Sequence, residues 1–178
     1  MLQKPAHRVF SKRLNLKTLI YGYGNPDRQD DGVAWHVLQE IMKHYGLPVS
    51  DDLDVDFHDE QRQMDYSFQL QLTPEIADDL NSYDRVCFID AHTGAIPEEI
   101  HLEKVTALFQ RSPLTHHLTA ASLLSIVDTL HHKVPETILV SIRGYEFGFA
   151  QSLSAATASL TRQAADIIIA WLEEKVIN

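Results

Sequence analysis

Side chains that can bind a metal ion occur in three groups along the chain, and each group adjoins an apolar segment. They are Asp27, Asp30 and Asp31 in an early loop, Asp90 at the end of an apolar run, and His116 and His117 in a later loop. Carboxylate oxygens and imidazole nitrogens together suit zinc, nickel or iron better than magnesium. Three protein ligands would leave coordination positions open for water or a substrate group. An aspartate at a strand end can equally be a helix cap, so spacing alone leaves both roles open.

The segments that must position these side chains alternate between strand and helix patterns. Strands are predicted over residues 18–22, 53–57, 85–91, 99–105 and 137–142, and helices over about 30–45, from Thr73, from about Thr119, and over 154–175. This alternation predicts a three-layer α/β/α sandwich around a twisted, largely parallel sheet of about five strands. Ligands bind beyond the carboxyl ends of such strands, where the three groups would meet.

Length and composition describe one ordinary globular domain. We expect residues 1–16 to form a basic N-terminal extension and residues 17–178 to form a single α/β domain, within a chain of 178 residues. The net charge of −10 disfavours nucleic acid as a partner. No apolar run approaches the roughly 20 residues that span a membrane. The single cysteine, Cys87, lies within an apolar run and is interpreted as a buried thiol, which fits a cytoplasmic protein.

Two other kinds of site find little support. Gly22-Tyr23-Gly24 follows a strand as in a dinucleotide-binding loop, but Asp27 stands where the third glycine of that motif would be. A nucleotide-binding module therefore remains a distant alternative. The sequence contains no Gly-x-Ser-x-Gly motif, so it does not predict the serine nucleophile of an α/β-hydrolase.

Five short segments, taken in order, resemble the hydrogenase-maturation endopeptidases. They are Gly22-Tyr23-Gly24-Asn25-Pro26 with Asp30-Asp31-Gly32-Val33, Gln71-Leu72-Thr73-Pro74-Glu75 with Leu80, Asp84 to Ala91, Thr115-His116-His117-Leu118 with Leu123-Leu124, and Leu153-Ser154. Together they cover about residues 17 to 175. The resemblance implies a twisted sheet between helices, as predicted above.

The resemblance also implies an activity and a site. Members of this family are aspartyl-type endopeptidases that remove the C-terminal extension from the large-subunit precursor of a nickel–iron hydrogenase. Matched on the motifs, the catalytic and metal-contacting residues are Asp31, Asp90 and His116. Some members carry glutamate where Asp31 stands. His117 is the alternative ligand, and the family's His-x-Leu pattern, with Leu118, favours His116.

The implied metal is nickel, which arrives with the precursor and is not permanently bound. The implied partner is the precursor itself, with no nucleic acid or membrane. Two other functions remain open: a metallohydrolase with a permanently bound metal and a small peptide substrate, and a non-catalytic maturation chaperone that checks the metal content of the precursor.

Overall fold

A computed structural model describes residues 16–49, 53, 55–108 and 118–174. Within these ranges, six strands form one sheet in the order β2-β3-β1-β4-β6-β5. The strands are β1 (Thr18–Tyr23), β2 (Asp56–Asp59), β3 (Met64–Gln69), β4 (Arg85–His92), β5 (Ile100–Val105) and β6 (Glu136–Arg143). The four inner strands are parallel, and the edge strands β2 and β5 run antiparallel to β3 and β6.

Four helices and one 3₁₀ turn accompany these strands in the described residues. They are the turn Gln29–Gly32, α1 (Val33–His44), α2 (Ile76–Leu80), α3 (Ala120–His131) and α4 (Ala155–Glu173). The side chains of α1 and α4 pack with Ile20 and Ile89 on one face of the sheet. Those of α2 and α3 pack with Leu19 and Phe88 on the other. The predicted three-layer α/β/α architecture is confirmed.

The predicted number of strands was wrong, because β3 was missed. In β3, Met64, Tyr66 and Phe68 are buried, and the residues between them are more exposed. This is the alternation of a strand with one covered face. The strand predicted over residues 53–57 lies instead at Asp56–Asp59. A short turn connects this strand, β2, to β3, and the two strands pair antiparallel.

Two helices begin where the sequence predicted, each with a side-chain N-cap. Thr119 Oγ1 accepts a hydrogen bond from the Ser122 N–H at 3.2 Å, and Ser154 Oγ accepts one from the Thr157 N–H at 3.2 Å. These bonds satisfy N–H groups that have no partner within the helix. Neither Asp30 nor Asp31 caps α1, because both lie in the preceding 3₁₀ turn and Gly32 occupies the N-cap.

The sheet and α1 approach each other closely at Gly22. A Cβ atom there would stand 2.9 Å from Leu38 Cδ1 and 3.2 Å from Ala34 Cβ. A side chain at this position would therefore push α1 away from β1 and displace the loop between them.

The described helices include none with the length and apolarity needed to cross a bilayer. The proposed extension, residues 1–16, lies outside the described residues apart from Leu16.

Candidate active site

Asp90 and the loop that carries Asp31 lie at the same edge of the sheet. β1 and β4 are neighbouring parallel strands, with Gly22 paired to Ile89, so their carboxyl ends meet. Asp90 follows Ile89 directly and points toward the face of the sheet that also carries Tyr23 and Phe88. The two carboxylates, separated by 59 positions in sequence (90 − 31), are thus brought together by strand pairing.

The loop after β1 is folded tightly around Asp31. Gly24 has a φ of +142°, which favours glycine. A Cβ atom on Gly24 would stand 2.0 Å from the backbone oxygen of Asp31. The backbone N–H of Asn25 donates to Asp31 Oδ2 at 3.0 Å. The Gly24-Asn25 step therefore holds the half-buried Asp31 carboxylate in place.

Asp90 has an unusual protonation behaviour for a carboxylic acid. Burial, together with the nearby Asp31 charge, raises the pKa of Asp90 to about 7, although hydrogen bonds from Tyr23 and from the Ala91 N–H act in the opposite direction. The Ala91 N–H lies 2.7 Å from Asp90 Oδ1. Two carboxyl groups that share a confined space favour protonation of one of them. At neutral pH, Asp90 can therefore accept or release a proton.

Tyr23 is a site residue that sequence reasoning missed. Burial, followed by the charge of Asp90, raises the pKa of Tyr23, so its hydroxyl stays protonated and donates to the Asp90 carboxylate. Its ring packs edge-on against Phe88, with centroids 6.4 Å apart. The available signal was alternation along β1, which places Tyr23 on the same face of the sheet as Asp90.

Asp30 supports the structure of the loop after β1 through several hydrogen bonds. Its side chain is fully buried and accepts hydrogen bonds from the N–H groups of Tyr145 and Glu146, both at 2.8 Å. The Ser154 N–H and the Ser154 and Thr157 hydroxyls also donate to it, at 2.7 to 2.8 Å. Burial alone would raise the pKa of Asp30, but these hydrogen bonds outweigh it and lower the pKa.

Asp27, the third acid of the loop, is exposed and accepts a hydrogen bond from Gln151 Nε2 at 2.8 Å. Of the three acids, Asp31 is the one whose charge acts on Asp90, whereas Asp30 is bonded to Ser154 and the groups around it. The sequence had grouped all three together, since spacing does not show which side chain turns inward.

His116 and His117 lie outside the described residues, so the third proposed ligand stays a prediction. The direction of α3, the helix that follows these residues in sequence, can be read from two contacts at its end. His131, the last residue of α3, contacts Asp78 at 3.1 Å, and Lys133 lies 4.0 Å from Asp84, just before β4 begins. α3 therefore ends at the amino edge. Its 12 residues span about 18 Å, which places Ala120 toward the edge that carries Asp90.

Within the described ranges, no group of three histidine, cysteine or acidic side chains is arranged to hold a metal ion. Asp31 and Asp90 supply oxygen donors only, and a cation between them would relieve the repulsion of the two carboxylates. Asp31 and Asp90 thus form a pair of acidic side chains toward the edge of the sheet where α3 begins, and His116 precedes this helix in sequence.

Solved structures of hydrogenase maturation proteases have a similar fold. The chain is similar to the maturating endopeptidase HybD from E. coli, with 16% identity, a TM-score of 0.65, and coverage of 88% of this chain and 92% of that one. It is similar to the maturation protease HycI from Thermococcus kodakarensis, with 18% identity, a TM-score of 0.60, and coverage of 89% and 94%. Neither a protein-family model nor a curated protein matches the chain. The resemblance read from the motifs is confirmed at the level of the fold.

Proposed function

We propose that the chain is an endopeptidase that removes the C-terminal extension of a nickel-loaded hydrogenase large-subunit precursor. The observation that carries this proposal is the placement of Asp31 and Asp90 at one edge of the sheet, in a fold shared with maturation proteases. Nickel would be part of the substrate. A cytoplasmic setting fits the single, buried cysteine Cys87.

In this proposal, Asp31, Asp90 and His116 contact the nickel of the precursor and thereby hold the scissile bond in register. Two acidic side chains close together attract a cation, and the pKa of Asp90 is raised first by burial and then by the charge of Asp31. Correct orientation of reacting groups can lower a barrier by up to roughly 7–11 kcal/mol. Cleavage would thus depend on a loaded precursor.

The same carboxylates can also move protons. A water molecule that attacks the scissile carbonyl must lose a proton, and the leaving amine must gain one. A carboxylate with a pKa near the working pH is suited to both transfers. Asp90, with a pKa of about 7, is the described residue that meets this requirement. Polarisation of the carbonyl by the metal of the substrate would supply further stabilisation.

The test is incubation of the purified chain with a nickel-loaded precursor, followed by mass measurement of the precursor. We expect loss of a C-terminal peptide, and no loss from nickel-free precursor. Asp31→Asn, Asp90→Asn and His116→Gln should abolish cleavage. Asp27→Asn is the matched control, because Asp27 lies in the same loop as Asp31 but is exposed and bonded to Gln151.

The other outcomes of this test separate the alternatives. Binding without a change in precursor mass would contradict the peptidase and support a maturation chaperone. Cleavage of unrelated peptides by enzyme that retains a metal after purification would support a metallohydrolase with a resident metal. Cleavage that survives Asp31→Asn and Asp90→Asn would reject the proposed site.

A further inference from the structure

A polar groove lies on the face of the sheet that also carries Tyr23 and Asp90. α2 has five residues and leaves part of β1, β3 and β2 uncovered. The resulting cavity has a volume of about 600 Å³ and is lined by residues that include Tyr21, Ser67, Asp56 and Asp79. No step of the proposed cleavage uses these side chains.

One acid in this groove, Asp65, already has its partners. The Tyr83 hydroxyl donates to Asp65 Oδ2 at 2.7 Å, and Lys17 Nζ lies 3.8 Å from the same oxygen. His58 Nδ1 contacts Asp65 Oδ1. The lysine and the imidazole that line this groove are therefore both engaged with Asp65.

Two other acids in the groove are without such partners. The carboxylates of Asp56 and Asp79 are exposed, and no described residue forms a hydrogen bond or ion pair with either side chain. Both are close enough to Tyr21 that, after the larger effect of burial, their charges raise the pKa of its hydroxyl. The groove therefore holds unbalanced negative charge around Tyr21.

The hydroxyl of Tyr21 indicates that this groove binds a ligand. Its side chain is only 4% exposed and lines the cavity. None of the described residues hydrogen-bonds to its hydroxyl. Its hydroxyl oxygen is not sealed from solvent, so it faces the open groove and is available to a ligand as a hydrogen-bond donor or acceptor. A hydroxyl next to two carboxylates can complete a site for an N–H donor that carries positive charge.

We propose that this groove binds an arginine or lysine side chain of the polypeptide that the chain processes. Asp56 and Asp79 supply the opposite charges, and the Tyr21 hydroxyl oxygen accepts a hydrogen bond from the cation. The identity of the partner rests on the proposed function, whereas binding of the cation does not.

The position of the groove favours the substrate as its occupant. Tyr21 and Tyr23 lie two residues apart on β1, about 7 Å along the strand. Their rings both contact Phe88, with centroids at 5.8 Å and 6.4 Å. Since Tyr23 hydroxyl bonds to Asp90, one extended polypeptide segment can occupy the groove and reach the proposed cleavage site.

The first experiment measures cation binding without any cleavage. The full chain is titrated calorimetrically with a pentapeptide that contains two arginines separated by glycines, and with the same peptide carrying glutamates. We expect only the basic peptide to bind. The variant with both Asp56→Asn and Asp79→Asn should bind it roughly tenfold more weakly, a loss typical of two exposed ion pairs. Tyr21→Phe should also weaken binding.

The control corrects for the overall negative charge of the protein. Asp128→Asn, on the exposed surface of α3, removes a carboxylate outside the groove and should leave binding unchanged. Equal weakening by Asp128→Asn and by Asp56→Asn would overturn the proposal, because binding would then follow net charge alone. Failure of the basic peptide to bind would also overturn it.

The second experiment identifies the occupant. With nickel-loaded precursor, the Asp56→Asn, Asp79→Asn variant should raise the KM for cleavage and leave kcat nearly unchanged. An unchanged KM would remove the groove from substrate recognition while the proposed function stands. Peptide binding with no cleavage by the unmodified chain would reject the function but keep the cation site. If Lys12→Gln with Arg13→Gln tightened peptide binding, the chain's own basic segment would be the occupant, against the proposal.

Discussion

Asp30 accepts hydrogen bonds from both the backbone N–H and the hydroxyl of Ser154, each at 2.7 Å. One residue of the loop after β1 is thereby tied to the N-cap of α4, 124 positions later. The same carboxylate holds the backbone of Tyr145 and Glu146 after β6. Asp31, the next residue, is held by Asn25 and faces Asp90. Of these two adjacent acids, Asp30 supports the structure and Asp31 takes part in the proposed chemistry.

Replacement of Asp30 should destabilise the protein strongly. Asp30→Ala leaves the N–H groups of Tyr145, Glu146 and Ser154 without their acceptor, at a cost of about 3–5 kcal/mol in the free energy of unfolding. Urea denaturation of the purified variants measures this cost. Asp27→Ala, in the same loop but exposed, should cost less than about 1 kcal/mol. Similar losses for both variants would contradict a supporting role for Asp30.

Asp90 should make the metal-free protein less stable as the pH rises. An unfolded aspartate titrates near its ordinary pKa of about 4, whereas the pKa of Asp90 in the folded protein is about 7. Between these values the folded state holds a proton that the unfolded chain has released. The contribution of Asp90 to the free energy of unfolding therefore falls as the pH rises from about 4 to about 7.

Asn resembles the protonated acid, so Asp90→Asn should remove this dependence. We expect the variant to gain about 1–2 kcal/mol of stability at about pH 8 and to change little at about pH 4. Denaturation curves of both proteins in the presence of a chelator provide the measurement. If the variant were less stable than the original chain at the higher pH, the pKa of Asp90 would not be raised in the folded protein.

Tyr23 should tune the pH dependence of the proposed cleavage. Its hydroxyl stabilises the charged form of Asp90, so Tyr23→Phe should raise the pKa of Asp90 further. The acidic limb of the processing rate should move to higher pH by about 0.5–1 unit. Tyr145→Phe is the control, because its hydroxyl bonds to the distant Glu99. An unshifted limb in Tyr23→Phe would exclude this interaction from the chemistry.

Gly24 should be more sensitive to substitution than another glycine with positive φ. Gly24→Ala places a Cβ atom 2.0 Å from the Asp31 oxygen, whereas Gly46 has nothing within 4 Å. Gly46→Ala should therefore cost only the backbone strain, about 1 kcal/mol. Gly24→Ala should cost more and should abolish precursor cleavage, because Asp31 must move. Thermal melting and the mass assay test both expectations, and equal melting temperatures would contradict them.

The sequence predicted most of the fold correctly where burial on both faces of a strand set the amino-acid pattern. The apolar runs that form β1, β4 and β6 are inner parallel strands, buried on both faces, so they carry a continuous signal. β3 was missed because one of its faces lines the polar groove. Asp65 and Ser67 occupy alternate positions there, so β3 lacks the continuous apolar run of the other inner strands and has only a short alternation.

The sequence by itself determined the candidate residues for the proposed chemistry and the order in which they occur: the acids after β1, Asp90 near the end of β4, and the histidines before α3. Only the tertiary structure decided what each carboxylate does. Asp30 and Asp31 have the same side chain and adjacent positions, but their environments are built by residues far away in the chain. Hydrogen bonds from Glu146, Ser154 and Tyr145 hold Asp30 charged, whereas burial, and then the charge of Asp31, favours the protonated form of Asp90. Burial and hydrogen-bond partners, which set the pKa of a carboxyl group, exist only once distant segments are packed together.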